Sequence, residues 1–182
     1  MFQHLTFFAP VTRRRSGLAA INLGVSAAPA RAETPIGEIT GEVGAEAFVR
    51  ETLDVPSEGT ATAEFSDFGP VITVSIPGHE QGGESRMRNV ESLDFSLMGS
   101  DVMDIDVSFF PDGMSGPFHI STDVPRDAQI SFDRLDLDDD AAMAEGNFTA
   151  LLCRQDDFMS PPDTDDCIES RGRFTTQLRP GA

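Results

Sequence analysis

Alternation of apolar and polar residues at every second position is the feature that most restricts the fold of this chain. Leu93, Phe95 and Leu97 occupy alternate positions, and the same period runs from 103 to 109 after a turn at 99–101. Strands of this kind bury one face and expose the other, as in an antiparallel sheet. Because no long stretch has helical periodicity, the sequence predicts an all-β protein.

Turn signals recur at intervals of roughly 8–12 residues, which is typical of all-β domains. We therefore predict a single antiparallel β-sandwich of about eight to ten strands, with a small up-and-down β-barrel as the alternative. A polar loop that contains glycine is predicted at residues 77–88.

One predicted strand changes its alternation partway along. Ile130 and Phe132 share one phase, whereas Leu135 and Leu137 share the other. An extra residue inserted at 133–134 would account for this change, so the sequence predicts a β-bulge there.

The first 32 residues have the layout of a bacterial export signal. Arginines lie at 13–15, a mildly apolar run covers 18–28, and small residues precede a cleavage site after Ala32. We expect a signal peptide at 1–32, a single all-β domain at 33–182, and a periplasmic or secreted protein. The route, general secretory or twin-arginine, stays open.

The chain is strongly acidic. Its formal net charge is −18, and removal of residues 1–32 would take away four of 13 basic residues and no acidic ones, leaving −22. Such a charge disfavours nucleic acid and anionic membranes and favours cations or a basic protein partner. No apolar run after the signal approaches the roughly 20 residues of a membrane span. No cysteine follows the signal to carry a lipid anchor.

The two cysteines, Cys153 and Cys167, predict one disulfide near the C-terminus. An exported protein with two cysteines most simply pairs them. The bridge would close the polar segment 154–166, and closing a loop of about 15 residues contributes about 3 kcal/mol in the chain-entropy model.

Direct pairing of these cysteines across two antiparallel strands sets a register that a second pattern supports. In that register Phe148 lies opposite Gly172 and Phe174 lies opposite Gly146. Each aromatic ring would cover a strand glycine of its partner. The sequence therefore predicts a hairpin in which this register and the disulfide agree.

Catalytic motifs are scarce. After the signal only His79 and His119 remain as histidines, and their spacing predicts no shared site. Ser115 lacks the second glycine of a nucleophile elbow, because Pro117 takes its place. We expect no cofactor.

The aspartates provide the metal hypothesis that we favour over a zinc site built from His79, His119 and a carboxylate. Asp136, Asp138 and Asp140 have the spacing that opens a calcium loop, but Ala141 and Asn147 replace the glycine and the bidentate glutamate that an EF-hand requires. A second acidic group lies between the cysteines: Asp156, Asp157, Asp163, Asp165 and Asp166.

The closing strands, Gly-x-Phe-Thr-Ala-Leu-Leu-Cys at 146–153 and Cys-Ile-Glu-Ser-Arg-Gly-Arg-Phe-Thr-Thr-x-Leu at 167–178, resemble those of small exported β-domain proteins of proteobacteria that have no assigned function. The likeness covers 36–178 in general pattern and 146–178 in detail. It implies a compact antiparallel β fold and no catalytic residues.

These observations favour a non-catalytic exported domain that mediates binding or protein interaction, with the acidic loop between the cysteines offered to a basic partner. The alternatives are a calcium- or glycan-dependent surface module and, less favoured, a hydrolase that uses carboxylates.

Overall fold

The computed structural model describes residues 32–83, 85–138 and 141–181, and all regular structure in them is β-strand. The predicted signal peptide, 1–32, lies outside the described residues except for Ala32. The strands are β1 Thr34–Val43, β2 Glu46–Val55, β3 Thr60–Ala61, β4 Glu64–Asp67, β5 Ile72–Glu80, β6 Val90–Met98, β7 Asp101–Phe110, β8 Phe118–Ile120, β9 Gln129–Asp136, β10 Met143–Gln155, β11 Asp163–Gln177 and β12 Arg179–Pro180.

The all-β prediction is confirmed, and the pairing is antiparallel except between β12 and β4. The strands follow the order β12-β4-β5-β6-β7-β8-β10-β11-β1-β2-β3, and β9 pairs with β10. In addition, β2 pairs with β5 at Arg50–Glu80 and Glu51–His79. The described residues form twelve strands rather than eight to ten, because two of them, β3 and β12, are only two residues long.

The apolar faces of the strands form one core. Alternate residues of β6 (Leu93, Phe95, Leu97) are buried in it, as the sequence predicts. Phe148 of β10 and Phe174 of β11 join the same cluster. The core therefore lies on one face of the sheet, and the opposite face carries loops, polar side chains and a smaller number of apolar side chains.

The C-terminal hairpin has the predicted register. Cys153 pairs with Cys167 and forms the disulfide. Phe148 lies opposite Gly172, where a Cβ would come within 2.7 Å of the Phe148 ring. At Gly146 a Cβ would lie 2.9 Å from the Phe174 ring. Each ring thus occupies the space that the glycine of the other strand leaves.

The register shifts at four places among the described strands, and two of these shifts, in β9 and in β7, are bulges that bear on the predicted alternation. The predicted one is confirmed, because Arg134 and Phe132 pair with consecutive residues of β10 and Asp133 is the extra residue. The second was not expected. Met103 pairs with Ser96 on the outer face, and Val102 instead packs against the core.

This second bulge corrects the predicted alternation of 103–109. Asp104 adopts a positive φ of 51°, which is uncommon outside glycine and is tolerated best by Asn and Asp. The extra residue reverses the phase of the strand before it.

The predicted loop at 77–88 is shorter than expected, since β5 continues to Glu80. Gly78 lies inside this strand, and crowding of the sheet explains why the residue is glycine. A Cβ at Gly78 would lie 2.7 Å from Cβ of Arg50 and 2.9 Å from Ile39. Glycine in a strand often marks such a close approach. Gly78, which lies in the predicted loop, therefore has a packing role inside the strand.

Candidate functional site

The predicted aspartate site is only partly described. Asp136 ends β9 and accepts hydrogen bonds from the backbone N–H of Asp138 and from Arg134, each at 3.1 Å. These two bonds, the backbone one first, hold the pKa of Asp136 below its ordinary value. Asp140 lies outside the described residues, so the three-aspartate site stays a prediction. Within 32–83, 85–138 and 141–181, no group of three or more His, Cys, Asp or Glu side chains could hold a metal ion.

The two histidines lie at different places. His119 is on β8, with its ring 6.4 Å from that of Phe109. His79 is near the end of β5 and lines a pocket on the outer face. Ser115 is in the loop between β7 and β8.

A polar cluster lies inside the core, and the sequence analysis did not predict it. Glu91 of β6 is fully buried, and its Oε1 accepts a hydrogen bond of 2.5 Å from the Ser170 hydroxyl of β11. Arg50 of β2 is also buried, with its guanidinium over the rings of Phe48 and Phe109 at 5.1 and 5.9 Å.

The electrostatics of this cluster are set by burial. Removal from water disfavours the charged carboxylate and raises the pKa of Glu91 to about 7, although the Ser170 bond and the charge of Arg50 act in the opposite direction. Among the described residues, Oε2 of Glu91 and Nε of Arg50 have no hydrogen-bond partner. The cluster is closed inside the core, so it determines pH dependence rather than ligand binding.

The outer face of β5, β6 and β7 carries an apolar pocket of about 250 Å³, which we call the methionine pocket. It lies against the segments 81–89 and 111–117 that follow β5 and β7. Its lining residues are Pro77, His79, Arg86, Met87, Val90, Ser92, Phe110 and Met114. Cavities of about 150 Å³ admit benzene, whereas pockets for drug-sized ligands start at about 300 Å³. The pocket therefore suits an ion, a side chain or a small molecule.

His79 has a defined orientation in this pocket. Its Nδ1 lies 2.7 Å from the backbone carbonyl oxygen of Arg86, which only accepts, so Nδ1 carries the proton and donates. The residue is 8% exposed, and its Nε2 has no hydrogen-bond partner among the described residues. Burial lowers the pKa of His79, so the neutral ring with a bare Nε2 lone pair is favoured.

A stack of three aromatic rings continues from the pocket. Phe110 lines the pocket, Phe118 of β8 lies 5.3 Å from it, and Phe158 lies 4.7 Å from Phe118, measured between ring centroids. Phe158 belongs to the segment 156–162 between β10 and β11, which we call the tip loop.

The tip loop presents apolar side chains to solvent. Phe158 is 59% exposed and Met159 is 93% exposed. Asp157 holds the loop by accepting hydrogen bonds from the backbone N–H groups of Met159 (2.8 Å) and Ser160 (3.0 Å). The Gln155 side chain donates to the Ser160 carbonyl at 2.6 Å. The disulfide between Cys153 and Cys167 joins the two strands that flank the loop. The loop is therefore held by its internal hydrogen bonds and by the bridge between the strands on either side.

Carboxylates also meet on the outer face beside the pocket. Asp94 and Asp106 lie directly opposite each other on β6 and β7. Burial, together with the charge of Asp106, raises the pKa of Asp94, while hydrogen bonds from Ser75 and Ser92 oppose this effect. The sequence does not single out this pair, because only the hairpin register brings the two residues together.

The sequence analysis also did not predict the methionine pocket, because only the tertiary structure brings its residues together. His79 was known as an isolated histidine, but nothing in the spacing connected it with Met87 and Met114. The alternation itself does contain a signal for the interior cluster, since Glu91 has the same phase as Leu93 and Arg50 the same phase as Phe48.

Comparisons of the chain with protein-family models, with characterised proteins and with solved structures found no match. In the part of the chain that the structure describes, there is no helix of the length and apolar character that a membrane crossing requires. The function is therefore argued from the geometry of the site.

Proposed function

We propose that this protein is a non-catalytic exported domain that binds a basic protein partner through the tip loop. The observation that carries the proposal is the exposure of Phe158 and Met159 on a loop that the rest of the fold holds in place. Exposed apolar groups surrounded by polar residues mark interaction surfaces in soluble proteins. A loop that is already ordered loses little further entropy on binding.

The chemistry of the partner follows from the charges around this apolar tip. Residues 154–166 contain five aspartates and one arginine. Arg154 is already engaged by Asp156 at 2.9 Å and by Asp166 at 3.8 Å. The remaining carboxylates favour a partner with an apolar recess that is rimmed by Arg or Lys.

The two exposed side chains are sufficient as an anchor. Full burial of an exposed Phe or Met side chain contributes about 1.5–3 kcal/mol, and Phe158 and Met159 are 59% and 93% exposed, so the pair would supply about 2–5 kcal/mol before the costs of association. A few side chains commonly account for most of the affinity of an interface. The tip loop is thus expected to act as a hot spot with an electrostatic rim.

For the scaffold we propose the barrel alternative, supported by the pairing of β2 with β5, which connects two strands far apart in the sheet order. For the compartment we propose the periplasm or the exterior, supported by the disulfide, since such bonds persist in oxidising environments. A mature protein purified from the exporting cells should begin at Glu33 when its N-terminus is sequenced.

The binding test uses matched pairs of exposed apolar residues. The variant Phe158→Ser/Met159→Ser removes the apolar tip, and Phe68→Ser/Met98→Ser removes two comparable exposed side chains elsewhere. Each immobilised protein is exposed to the non-cytoplasmic fraction of the exporting cells at low and high salt, and retained proteins are quantified by mass spectrometry.

We expect a basic protein to be retained by the wild type and by the Phe68/Met98 variant and lost with the tip-loop variant, with weaker retention at high salt. Thermal unfolding followed by circular dichroism checks that both variants fold. Equal retention by the two variants, or no retention above a bare support, would contradict the proposal.

A further inference from the structure

The methionine pocket brings together three side chains whose ligand atoms suit a soft metal ion. His79 supplies an imidazole nitrogen, and Met87 and Met114 supply thioether sulfurs, all within one pocket of about 250 Å³. We propose that His79, Met87 and Met114 bind a monovalent soft cation of the Cu(I) class. This site is distinct from the tip loop and from the predicted aspartate site.

His79 is oriented as a metal-binding histidine is. Ligand histidines usually donate their second ring N–H to a carbonyl or carboxylate, which fixes the tautomer and the ring plane. Here Nδ1 donates to the carbonyl of Arg86 at 2.7 Å, so the lone pair is on Nε2. That nitrogen is buried and has no partner in the described residues, although buried polar atoms are nearly always satisfied.

The loops that carry the two methionines are held against each other. Met87 directly follows Arg86, whose carbonyl is bonded to the His79 ring. A Cβ at Gly113, the residue before Met114, would lie 2.7 Å from the carbonyl oxygen and 3.8 Å from Cβ of Met87. The chain conformation at Gly113, with a φ of 84°, permits this approach.

Two further contacts close the same junction. The backbone N–H of Asn89 donates to the carbonyl of Pro111 at 3.1 Å. The Arg88 guanidinium contacts the Asp112 carboxylate at 2.6 Å. The loop positions of Met87 and Met114 are therefore set by backbone contacts, while their side chains, each 52% exposed, keep the freedom to turn toward an ion.

The ligand types select the ion. Among the described residues no carboxylate lines this pocket, whereas calcium and magnesium require oxygen ligands. Thioether and imidazole ligands favour Cu(I) among the biological metals. Both cysteines are in the disulfide, so thioethers are the available sulfur ligands. The one cation in the lining, Arg86, is paired with Glu33 at 3.2 Å and with Glu58 at 2.7 Å.

The test uses Ag(I), a soft monovalent ion that stands in for Cu(I) and needs no reductant that would endanger the disulfide. Binding is measured by isothermal titration calorimetry on the wild type, on Met87→Leu/Met114→Leu, and on Met98→Leu/Met103→Leu as the control, because neither control methionine lies in the pocket or the tip loop. Leucine keeps the volume of methionine and removes the sulfur, so the fold is retained. A second variant, His79→Gln, removes the imidazole.

We expect one Ag(I) per protein in the wild type and in the control. The Met87/Met114 variant and His79→Gln should each lose more than about tenfold in affinity, since even outer-shell changes at metal sites cost 10–100-fold. The thermal midpoint should rise with Ag(I) in the wild type and control only.

Equal binding by all four proteins would mean that exposed methionines bind the ion nonspecifically, and it would overturn the proposal, as would an absence of binding. If the protein does not bind Ag(I) but a phenol-sized probe enters the pocket, the pocket would be assigned to a small apolar ligand instead. The tip-loop binding experiment is unaffected by any of these outcomes, because the two sites share no residue.

Discussion

Replacement of Glu91 by glutamine should remove a specific part of the pH dependence of stability. Glu91 is buried in the core, and its pKa is raised from 4.5 to about 7 mainly by loss of water. The folded protein therefore holds this proton in a pH range where the unfolded chain has released it. The stability that results is present in full below pH 4.5 and is lost as the pH rises to about 7.

The size of the effect follows from these two pKa values. Each pKa unit corresponds to 1.36 kcal/mol, so the interval from 4.5 to about 7 corresponds to about 3 kcal/mol at pH 8. Glutamine resembles the protonated acid in size, and its carbonyl can still accept the Ser170 hydrogen bond. We expect Glu91→Gln to equal the wild type near pH 4.5 and to exceed it by about 3 kcal/mol at pH 8. For a protein of this length that difference is about 6–12 °C in Tm.

The assay is urea unfolding followed by circular dichroism between pH 4.5 and 8, because the chain has no tryptophan or tyrosine for fluorescence. Glu38→Gln, which removes an exposed carboxylate on β1, is the matched control. Other groups, such as the two histidines, titrate in the wild type and in both variants alike, so the difference between the curves isolates Glu91. Parallel curves for the wild type and Glu91→Gln would refute the reasoning.

Two further predictions concern the C-terminal hairpin. Loss of the disulfide, by reduction or by Cys153→Ala/Cys167→Ala, should lower the free energy of unfolding by about 3 kcal/mol in thermal or urea unfolding; an unchanged midpoint would show that the bridge does not constrain the unfolded chain. Gly172→Ala should destabilise by about 1–3 kcal/mol, because the new Cβ would lie 2.6 Å from the backbone carbonyl oxygen of Thr40 and 2.7 Å from the Phe148 ring. Gly116→Ala is the control, since its Cβ would meet its nearest neighbour at an ordinary 3.4 Å; equal effects in the two variants would show that the sheet and the ring both relax around the added methyl group.

The fold was predictable where local patterns were sufficient. The register of the C-terminal hairpin follows from the pairing of Cys153 with Cys167, because the residue numbers of paired residues have a constant sum along an unbroken antiparallel ladder. The two glycines covered by aromatic rings support the same register. The bulge at Asp133 follows from the change of phase between Phe132 and Leu135.

The prediction failed where a residue had two possible roles. Asp104 was taken as an ordinary outward residue, but its positive φ makes it part of a bulge that places Val102 rather than Met103 against the core. Gly78 was taken as a loop residue, although it is a strand residue that leaves space for Arg50. Local sequence does not distinguish these cases, because the deciding atoms belong to other strands.

Three properties of this protein follow from its sequence alone. The period of its apolar side chains determined that it forms strands, its composition determined its acidity, and the spacing of the cysteines determined the disulfide-closed hairpin. The tertiary structure alone decided which polar groups lose contact with water and which side chains meet. Glu91 and Arg50 share the core because β5 pairs with both β6 and β2, and His79 shares a pocket with Met114 because the loop after β7 packs against the loop after β5. Contacts between residues on different strands and loops depend on both the order of the strands and their register. The local alternation of apolar and polar residues specifies neither of these by itself.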